Sequence, residues 1–296
     1  MPEPEIRELR YFRAVAEDLN ITRAAERLGI AQPPLSRAMR QLERRLGVDL
    51  FDRSDQRIAL TTAGETFLKE SAQVLDALDA TVRRTQRAGL PARTLVVTAK
   101  PGVSTELLHG IVEQFLTEPD APEIRITISG FGEQEGMVRD GRADVAILGG
   151  PFDDHGLESE LLVVEPRVAA LPASHPLAGR ETLAAEDLAG LPTPRWPGSN
   201  DAQSNFWSST PDNPVDGPLV QDSSQLLEVI AFSQAVALVP TSLARRNGRP
   251  DIVYRPVTDV AQYETVVVWQ AGNRSPWVAR FVQTALKRSI EQPGEL

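Results

Sequence analysis

Residues 20–46 constrain the fold of this chain most, because they contain two helical patterns joined by a tight turn. The first pattern ends at Gly29, and glycine is the residue type that most readily ends a helix. The second begins at Gln32 and continues into two prolines, which the first helical turn tolerates because it has no partner for their missing N–H groups. This layout predicts a helix-turn-helix, whose second helix enters the DNA major groove by its N-terminus. An ordinary helical hairpin with a solvated arginine face is the alternative.

The second of these helices has two faces of different chemistry. One face is apolar and recurs at helical spacing, with Leu35, Met39, Leu42 and Leu46. The opposite face is polar, with Gln32, Ser36, Arg37, Arg40 and Arg44. We expect the first face to pack against the preceding helices and the second to meet DNA.

The charge of the chain is unevenly distributed. The whole chain of 296 residues has a net charge of −10, which by itself does not suggest a nucleic-acid partner. Residues 1–90, however, hold 15 basic and 14 acidic side chains, whereas residues 91–296 hold 16 and 27. The excess of acidic side chains therefore lies in residues 91–296. A near-neutral first part can bind DNA if its arginines gather on one face, because phosphate contacts act over short distances.

Several functional classes are disfavoured by what the sequence lacks. It has no cysteine, which excludes disulfides, thiolate metal sites and cysteine nucleophiles. His109, His155 and His175 do not have the spacing of metal ligands, and no common catalytic motif occurs. No apolar run reaches the roughly 18 residues of a membrane span, and the N-terminus does not resemble a secretory signal. We therefore expect a cytoplasmic protein that is not an enzyme, with no metal, no cofactor and no membrane partner.

The residues that follow the helix-turn-helix predict a wing and a long helix. In residues 47–61 two apolar clusters flank a polar tip, as in a short hairpin. Thr62 and Glu65 have the spacing of a capping box that begins a helix. That helix runs to about residue 90 with a nearly heptad stripe: Phe67, Ser71, Val74, Leu78 and Val82. The stripe predicts a dimer contact; packing against its own domain is the alternative.

After Pro91 the pattern changes to alternating strands and helices, which predicts an α/β domain with a parallel sheet. We predict strands at residues 94–99, 123–129, 144–148, 161–171, 235–239 and 264–269, and helices at 103–116, 132–140, 223–233, 241–247 and 276–290. Residues 191–217 are predicted to be mostly loop.

With this order of parts, the chain resembles the LysR-type transcriptional regulators over essentially its full length. The motifs include Gln32-Pro33-Pro34-Leu35-Ser36-Arg37 and His175-Pro176-Leu177-Ala178, with residues 9–12, 24–28, 42–43, 46–53, 60–64 and 141–147. The resemblance implies an N-terminal all-α winged helix-turn-helix (residues 1–61), a dimerising linker helix (62–90) and an α/β, two-lobed effector domain like a periplasmic binding protein (91–296). Lobe I would be residues 92–161 and 265–290, and lobe II residues 162–264.

The resemblance also implies partners. These are double-stranded promoter DNA, a small-molecule effector, a second copy or copies in a homodimer or homotetramer, and RNA polymerase. The alternatives are a solute-binding or an enzymatic α/β domain that carries an accessory DNA-binding module.

The DNA-contacting residues implied by the resemblance are chemically suited to that role. A glutamine amide at Gln32 can pair with adenine, and Pro33 offers an apolar edge to a thymine methyl group. The others can contact base edges or phosphates. The complete set is Thr22, Arg23, Gln32, Pro33, Ser36, Arg37 and Arg53.

The effector is expected in the crevice between the lobes, at the carboxyl ends of the strands. Its rim residues would be Lys100, Gly102, Ser104, Gly130, Phe131, Gly149, Trp196 and Ser199. Lys100 and a helix N-terminus capped by Ser104 both favour an anion, so we expect a carboxylate. A solvent-facing lysine is the alternative. Family members usually have glycines where this chain has Ser233 and Ala235, so we expect a less tight turn there.

Overall fold

The structure, a computed structural model, describes residues 3–52, 58–89, 94–100, 105–197, 201–208 and 215–291. The chain divides into two compact units, Met1–Thr85 and Gln86–Leu296. Within the described ranges, no helix is long and apolar enough to cross a membrane.

The first unit begins with three helices: α1 (Ile6–Asp18), α2 (Ile21–Leu28) and α3 (Gln32–Leu46). Asn20 begins α2, because its side-chain oxygen accepts hydrogen bonds from the backbone N–H groups of Thr22 and Arg23 at 3.0 and 3.1 Å. Gly29 ends the helix at φ 67°, in the left-handed region that glycine adopts without strain. The predicted apolar face of α3 packs into a core with Phe12, Val15, Ala24, Ala25, Leu35, Met39 and Leu42.

A two-stranded antiparallel hairpin follows, formed by β1 (Phe51–Asp52) and β2 (Ala59–Leu60). The buried carboxylate of Glu43 fixes the entry to β1, because it accepts hydrogen bonds from the N–H groups of Leu50 and Phe51 at 3.1 and 3.2 Å. The hairpin matches the predicted wing, although its tip lies outside the described residues.

The long helix α4 (Thr62–Ala88) begins as predicted but is capped differently. The hydroxyl of Thr61 accepts the hydrogen bond of the Gly64 N–H at 3.0 Å, so Thr61 is the cap and the predicted Thr62–Glu65 capping box is wrong by one residue. The residues of the predicted stripe do not all lie in the same environment. Phe67 packs edge-on against Phe12 in the core of the first unit, with 4.9 Å between the ring centroids. Val74 and Val82 are exposed.

The second unit contains a five-stranded sheet, here called the first sheet. Its strands are β3 (Thr94–Ala99), β4 (Glu123–Ile128), β5 (Val145–Gly149), β6 (Leu157–Glu165) and β12 (Tyr263–Gln270). Their spatial order is β4-β3-β5-β12-β6. The strand β3 is parallel to β4 and β5, as predicted, whereas β12 is antiparallel to both of its neighbours. Helices α5 (Thr105–Phe115), α6 (Gln134–Arg139) and α10 (Pro276–Glu291) belong to this part.

Another sheet, here called the second sheet, has three antiparallel strands in the order β10-β7-β11: β7 (Arg167–Pro172), β10 (Ala237–Pro240) and β11 (Ile252–Pro256). A separate parallel pair is formed by β8 (Pro192–Arg195) and β9 (Val215–Leu219). The accompanying helices are α7 (Asp201–Trp207), α8 (Ser223–Ala231) and α9 (Thr241–Arg246).

Three local predictions in the second unit are wrong. The single strand predicted at residues 161–171 is two strands in different sheets, because Pro166 lies between them and proline cannot donate to a strand ladder. The stretch predicted as loop contains β8, α7 and β9. The turn expected to be looser is tight: Ser233 adopts φ 59°, the left-handed conformation that glycine takes without strain.

Candidate functional site

In the first unit, the predicted DNA-contacting residues lie around the start of α3. Gln32, Pro33 and Arg37 are exposed, and Ser36 is half-buried. Thr22 and Arg23, which are also exposed, occupy the first turn of α2. Arg53 lies outside the described residues. The exposed positions leave the amide and guanidinium groups free to meet a large partner.

The arginines of this unit differ in whether they form ion pairs. Arg23 lies 3.4 Å from the carboxylate of Asp18, and Arg27 pairs with both Glu17 and Asp18, at 2.7 and 3.0 Å. Arg37 and Arg40 make no ion pair within the described part of the chain. Arginines without a carboxylate partner are the ones that can bind phosphate or a guanine edge without first losing an internal contact.

A surface concavity of about 660 Å³ lies along the exposed side of α3. It is lined by Arg37, Arg40, Gln41, Glu43, Arg44, Gly47, Val48 and Asp49. Three arginines and two acidic residues therefore line it, and one of the two carboxylates, on Glu43, accepts hydrogen bonds from backbone N–H groups. The concavity is locally positive in a chain that is acidic overall.

In the second unit, Lys100 follows directly after β3, at the carboxyl end of the strand. Its side-chain nitrogen lies 4.0 Å from the ring centroid of Phe131, 4.4 Å from Trp196 and 5.4 Å from Trp207. Phe131 follows β4 of the first sheet, whereas the two tryptophans follow β8 and end α7, beside the second sheet. The three rings, here called the aromatic seat, therefore join the two halves of this unit around one amine.

The seat supports the amine from one side. Phe131 and Trp196 stack with 4.5 Å between centroids and 13° between planes. Trp207 lies 6.1 Å from Phe131 and 6.5 Å from Trp196. A nitrogen at 4.0, 4.4 and 5.4 Å from these three centroids lies off the plane that they define. The three ring centroids therefore all lie to one side of the nitrogen.

The surroundings of Lys100 affect its charge in two opposing ways. Burial lowers the pKa of the Lys100 amine to about 7, because desolvation penalises the ammonium form. A ring face turned toward the ammonium attracts it and opposes this effect, but the nitrogen can lie over the face of only one of the two stacked rings. No carboxylate of the described residues forms an ion pair with Lys100. Among the described residues, the amine is therefore a cation site without a counter-charge.

The predicted glycines have backbone roles in the structure. The N–H of Gly130 donates to the carboxylate of Glu133 at 2.9 Å, and its carbonyl accepts from the Gln134 amide at 2.7 Å. Gly149 faces the ring of Tyr263 so closely that a side chain would collide with it. Gly102, Ser104 and Ser199 lie outside the described residues.

Sequence reasoning missed Trp207 and a buried arginine. Arg167 donates to the carbonyl of Ala261 at 2.6 Å and to that of Phe206, and its guanidinium lies 4.0 Å from the Phe206 ring. Burial lowers its pKa to about 10. A charged residue directly after Pro166, at the start of the apolar strand β7, was the available signal. Trp207 had none, because the sequence around it contains too many prolines and polar residues for a helix pattern to stand out.

Comparison with known proteins assigns both units. Residues 6–65 match the family described as "Bacterial regulatory helix-turn-helix protein, lysR family", and residues 88–289 match the LysR substrate binding domain. The chain is 30% identical over 293 residues to the Hca operon transcriptional activator HcaR of Escherichia coli, covering 96% of this chain and 98% of that protein. It is 31% identical to the regulator AlsR of Bacillus subtilis, covering 94% of each.

Solved structures agree with this assignment. Full-length BenM is similar with a TM-score of 0.58 and 25% identity, covering 99% of both chains. Full-length CbnR in complex with its target DNA is similar with a TM-score of 0.53 and 27% identity, covering 97% of this chain and 100% of that one. HcaR and AlsR are both named as transcriptional regulators and not as enzymes. The chain belongs to the LysR family of bacterial transcriptional regulators, which combine a DNA-binding helix-turn-helix with an effector-binding domain.

Proposed function

We propose that this regulator senses a small carboxylate at Lys100, within the aromatic seat, and couples its binding to promoter recognition by α3. One observation carries the effector assignment: a partly buried amine is held against three rings with no acidic partner among the described residues. A carboxylate would supply the missing counter-charge. A neutral effector would supply no counter-charge to the ammonium form of the amine.

The seat also suits the rest of such a ligand. Phe131, Trp196 and Trp207 come from both halves of the unit, so a ligand that contacts them can alter how those halves are held together. Small-molecule sites typically combine such apolar walls with a few polar groups that fix orientation. Lys100 would be that polar group, with Gly102, Ser104, Gly130, Gly149 and Ser199 as further proposed rim residues.

For DNA, we propose that Gln32, Pro33, Ser36 and Arg37 meet base edges and that Thr22, Arg23 and Arg53 meet phosphates. Support comes from the exposure of Gln32 and Arg37 and from the lack of an ion pair at Arg37 within the described ranges. The chain would act in the cytoplasm, where promoter DNA is found. HcaR is named as an operon activator, and we therefore include RNA polymerase among the proposed partners.

For assembly, we propose a homodimer or homotetramer that uses the linker helix, residues 62–90. The exposed Val74 and Val82 on α4 support this contact. We further propose that residues 1–61 and 91–296 act as the DNA-binding and effector-binding domains. The latter would have lobes at residues 92–161 with 265–290, and at 162–264.

The effector proposal is tested by a thermal-shift screen of small carboxylates, followed by calorimetry with any that bind. A ligand at 100 times its dissociation constant stabilises the folded state by roughly 2.7 kcal/mol. Lys100→Met retains the stem and removes the charge, and should abolish that shift. Lys287→Met, which removes an exposed lysine on α10, is the matched control and should bind like the natural chain. An uncharged effector, or equal binding by Lys100→Met, would contradict the proposal.

A further inference from the structure

Lys100 differs from the other two lysines of this chain in its surroundings. The sequence contains only Lys69, Lys100 and Lys287. Lys69 and Lys287 are exposed on the helices α4 and α10. Lys100 alone is partly buried against aromatic rings. An amine in such a setting has chemistry that a solvated ammonium lacks.

We propose that Lys100 captures its effector covalently, as a reversible imine with a small carboxylate that also carries a keto or aldehyde group. This inference rests on the proposed carboxylate site and narrows its ligand class to oxo acids. Three features of the structure carry it: the lack of a counter-charge among the described residues, the three rings on one side of the nitrogen, and the position at the carboxyl end of β3 between the two halves of the unit.

The first requirement for imine formation is a free amine, since only the unprotonated nitrogen has the lone pair that attacks a carbonyl carbon. A lysine in water has a pKa near 10.4 and is almost entirely protonated at neutral pH. Desolvation lowers the pKa of Lys100 to about 7, which leaves roughly half of the amine unprotonated at pH 7. Lysines desolvated in this way are the ones that form Schiff bases in enzymes.

The second requirement is access for the carbonyl group. Because Nζ lies off the plane of the three ring centroids, the rings support it from one side only. The proposal requires that the carbonyl carbon reach Nζ from the opposite side. No ion pair with a described carboxylate has to be broken first.

The reaction balances without an oxidant or reductant. The lone pair of the Lys100 nitrogen forms a C–N bond, the carbonyl π electrons move to oxygen, and a proton passes from nitrogen to that oxygen. The resulting carbinolamine loses its hydroxyl group, with one solvent-derived proton, as water, and a protonated C=N bond remains. The iminium nitrogen is positive, so the carboxylate of the same oxo acid can pair with it. Hydrolysis reverses each step and releases the effector.

Reductive trapping on the full-length protein tests the proposal. Glyoxylate and pyruvate serve as probes at pH 7 with cyanoborohydride, which reduces an iminium to a stable amine, and peptide mass spectrometry locates the adduct. We expect Lys100 to be modified about tenfold or more over Lys69 and Lys287, because its larger free-amine fraction outweighs the lower nucleophilicity that accompanies a lower pKa. Lactate, which has no keto group, should give no adduct.

Two controls link the preference to the fold. In denaturant the three lysines should be modified alike. Lys100→Arg, after its melting temperature shows that it folds, should lose the preferred adduct and retain the weak labelling of the other two lysines. In the natural chain, labelling of Lys100 is compared with labelling of Lys69 and Lys287. The test therefore does not depend on the folding of the Lys100→Arg variant.

The possible results separate the two proposals. Equal modification of the three lysines in the folded chain would overturn covalent capture. So would a carboxylate that stabilises the protein through Lys100 while neither oxo acid is trapped there, and in that case the proposed carboxylate site would stand. Preferred trapping at Lys100 supports covalent capture. If no carboxylate, with or without a keto or aldehyde group, stabilises the protein, that result contradicts the proposed function.

Discussion

Phe131 and Trp196 stack with 4.5 Å between their centroids and 13° between their planes, and this contact joins the first sheet to the region beside the second. Lys100 lies against both rings, at 4.0 and 4.4 Å. One amine therefore touches both halves of the effector-binding unit. Any ligand that changes the charge or position of this amine acts where the two halves meet.

The stack should contribute measurable stability. Phe131→Leu retains an apolar side chain but loses the ring that lies 4.0 Å from the Lys100 nitrogen and stacks on Trp196. We expect the free energy of unfolding to fall by about 1–2 kcal/mol, since aromatic pairs and desolvated cation–π contacts are each worth about 0.5–2 kcal/mol. Phe232→Leu is the control, because the Phe232 ring is 73% exposed and should change stability by less than about 0.5 kcal/mol. If urea denaturation showed the same loss of unfolding free energy for both variants, the proposed contribution of the aromatic seat to stability would be contradicted.

The lowered pKa of Lys100 predicts how stability depends on pH. Between pH 7 and about 10 the unfolded chain holds a proton on this amine that the folded chain has released, so stability from this group rises with pH across that window. Relative to Lys100→Met, the natural chain should therefore gain stability as the pH rises from 7 to 10. Below pH 7 the difference should be constant, because both states are protonated. Denaturation curves at several pH values measure it, and a difference that stays flat above pH 7 would contradict the assignment.

Ser233 offers a test of local backbone strain. It adopts φ 59° in the turn between α8 and β10, where its N–H donates to the carbonyl of Ile230 at 2.8 Å. Ser233→Gly should stabilise the protein by about 1 kcal/mol, since the left-handed conformation costs a residue with a Cβ about 1–2 kcal/mol, partly offset by the entropy of glycine in the unfolded chain. Ser224→Gly, in the first turn of α8, should instead destabilise by about 0.5 kcal/mol. Calorimetric melting of both variants decides the sign.

These residues also show how far sequence reasoning reached. The helix-turn-helix was predictable because Asn20, Gly29 and the apolar face of α3 act locally, within a few residues of one another. The cap of α4 was predicted one residue late, since Thr61 and Thr62 are chemically equivalent in sequence and only the hydrogen bond to Gly64 separates them.

The candidate effector site was predictable only in part. Lys100 and Phe131 stood out as residues that follow predicted strands. The contact of Lys100 with Trp207 joins positions that are more than 100 residues apart, and no local pattern encodes it. The division of residues 161–171 between two sheets at Pro166 was likewise not predictable, because a continuous apolar run does not indicate in which sheet each half will lie.

DNA recognition should depend on Arg37 more than on Arg23. Both are exposed, but Arg23 lies 3.4 Å from the carboxylate of Asp18, whereas Arg37 has no ion pair in the described ranges. Arg37→Ala should weaken binding to the promoter by about 1–3 kcal/mol if it reaches a base, and reduce discrimination against random duplexes. Arg23→Ala should lose less affinity, and by the same factor for the promoter and the random duplex. Fluorescence anisotropy with the two duplexes measures this, and unaltered affinity of Arg37→Ala would reject its role.

Assembly should depend on the exposed face of α4. Val82 is 47% exposed, so Val82→Glu should fold normally while placing a charge on that face. We expect light scattering to give a smaller assembly mass for this variant. Ile290→Glu adds the same charge to an exposed apolar position on α10 and should leave the mass unchanged. A full-sized assembly for Val82→Glu would place the contact elsewhere.

The central claim, that Lys100 is a cation site whose counter-charge is the effector, is tested most directly by observing its titration. Because the chain has three lysines, labelling them with ¹³C at Cε gives three signals in an NMR spectrum. One signal, assigned with Lys100→Arg, should titrate near pH 7. A bound carboxylate that lacks a keto or aldehyde group should raise that pKa and leave the other two signals unchanged, because an adjacent negative charge favours the ammonium form. A Lys100 signal whose titration is the same with and without the bound carboxylate would contradict the claim.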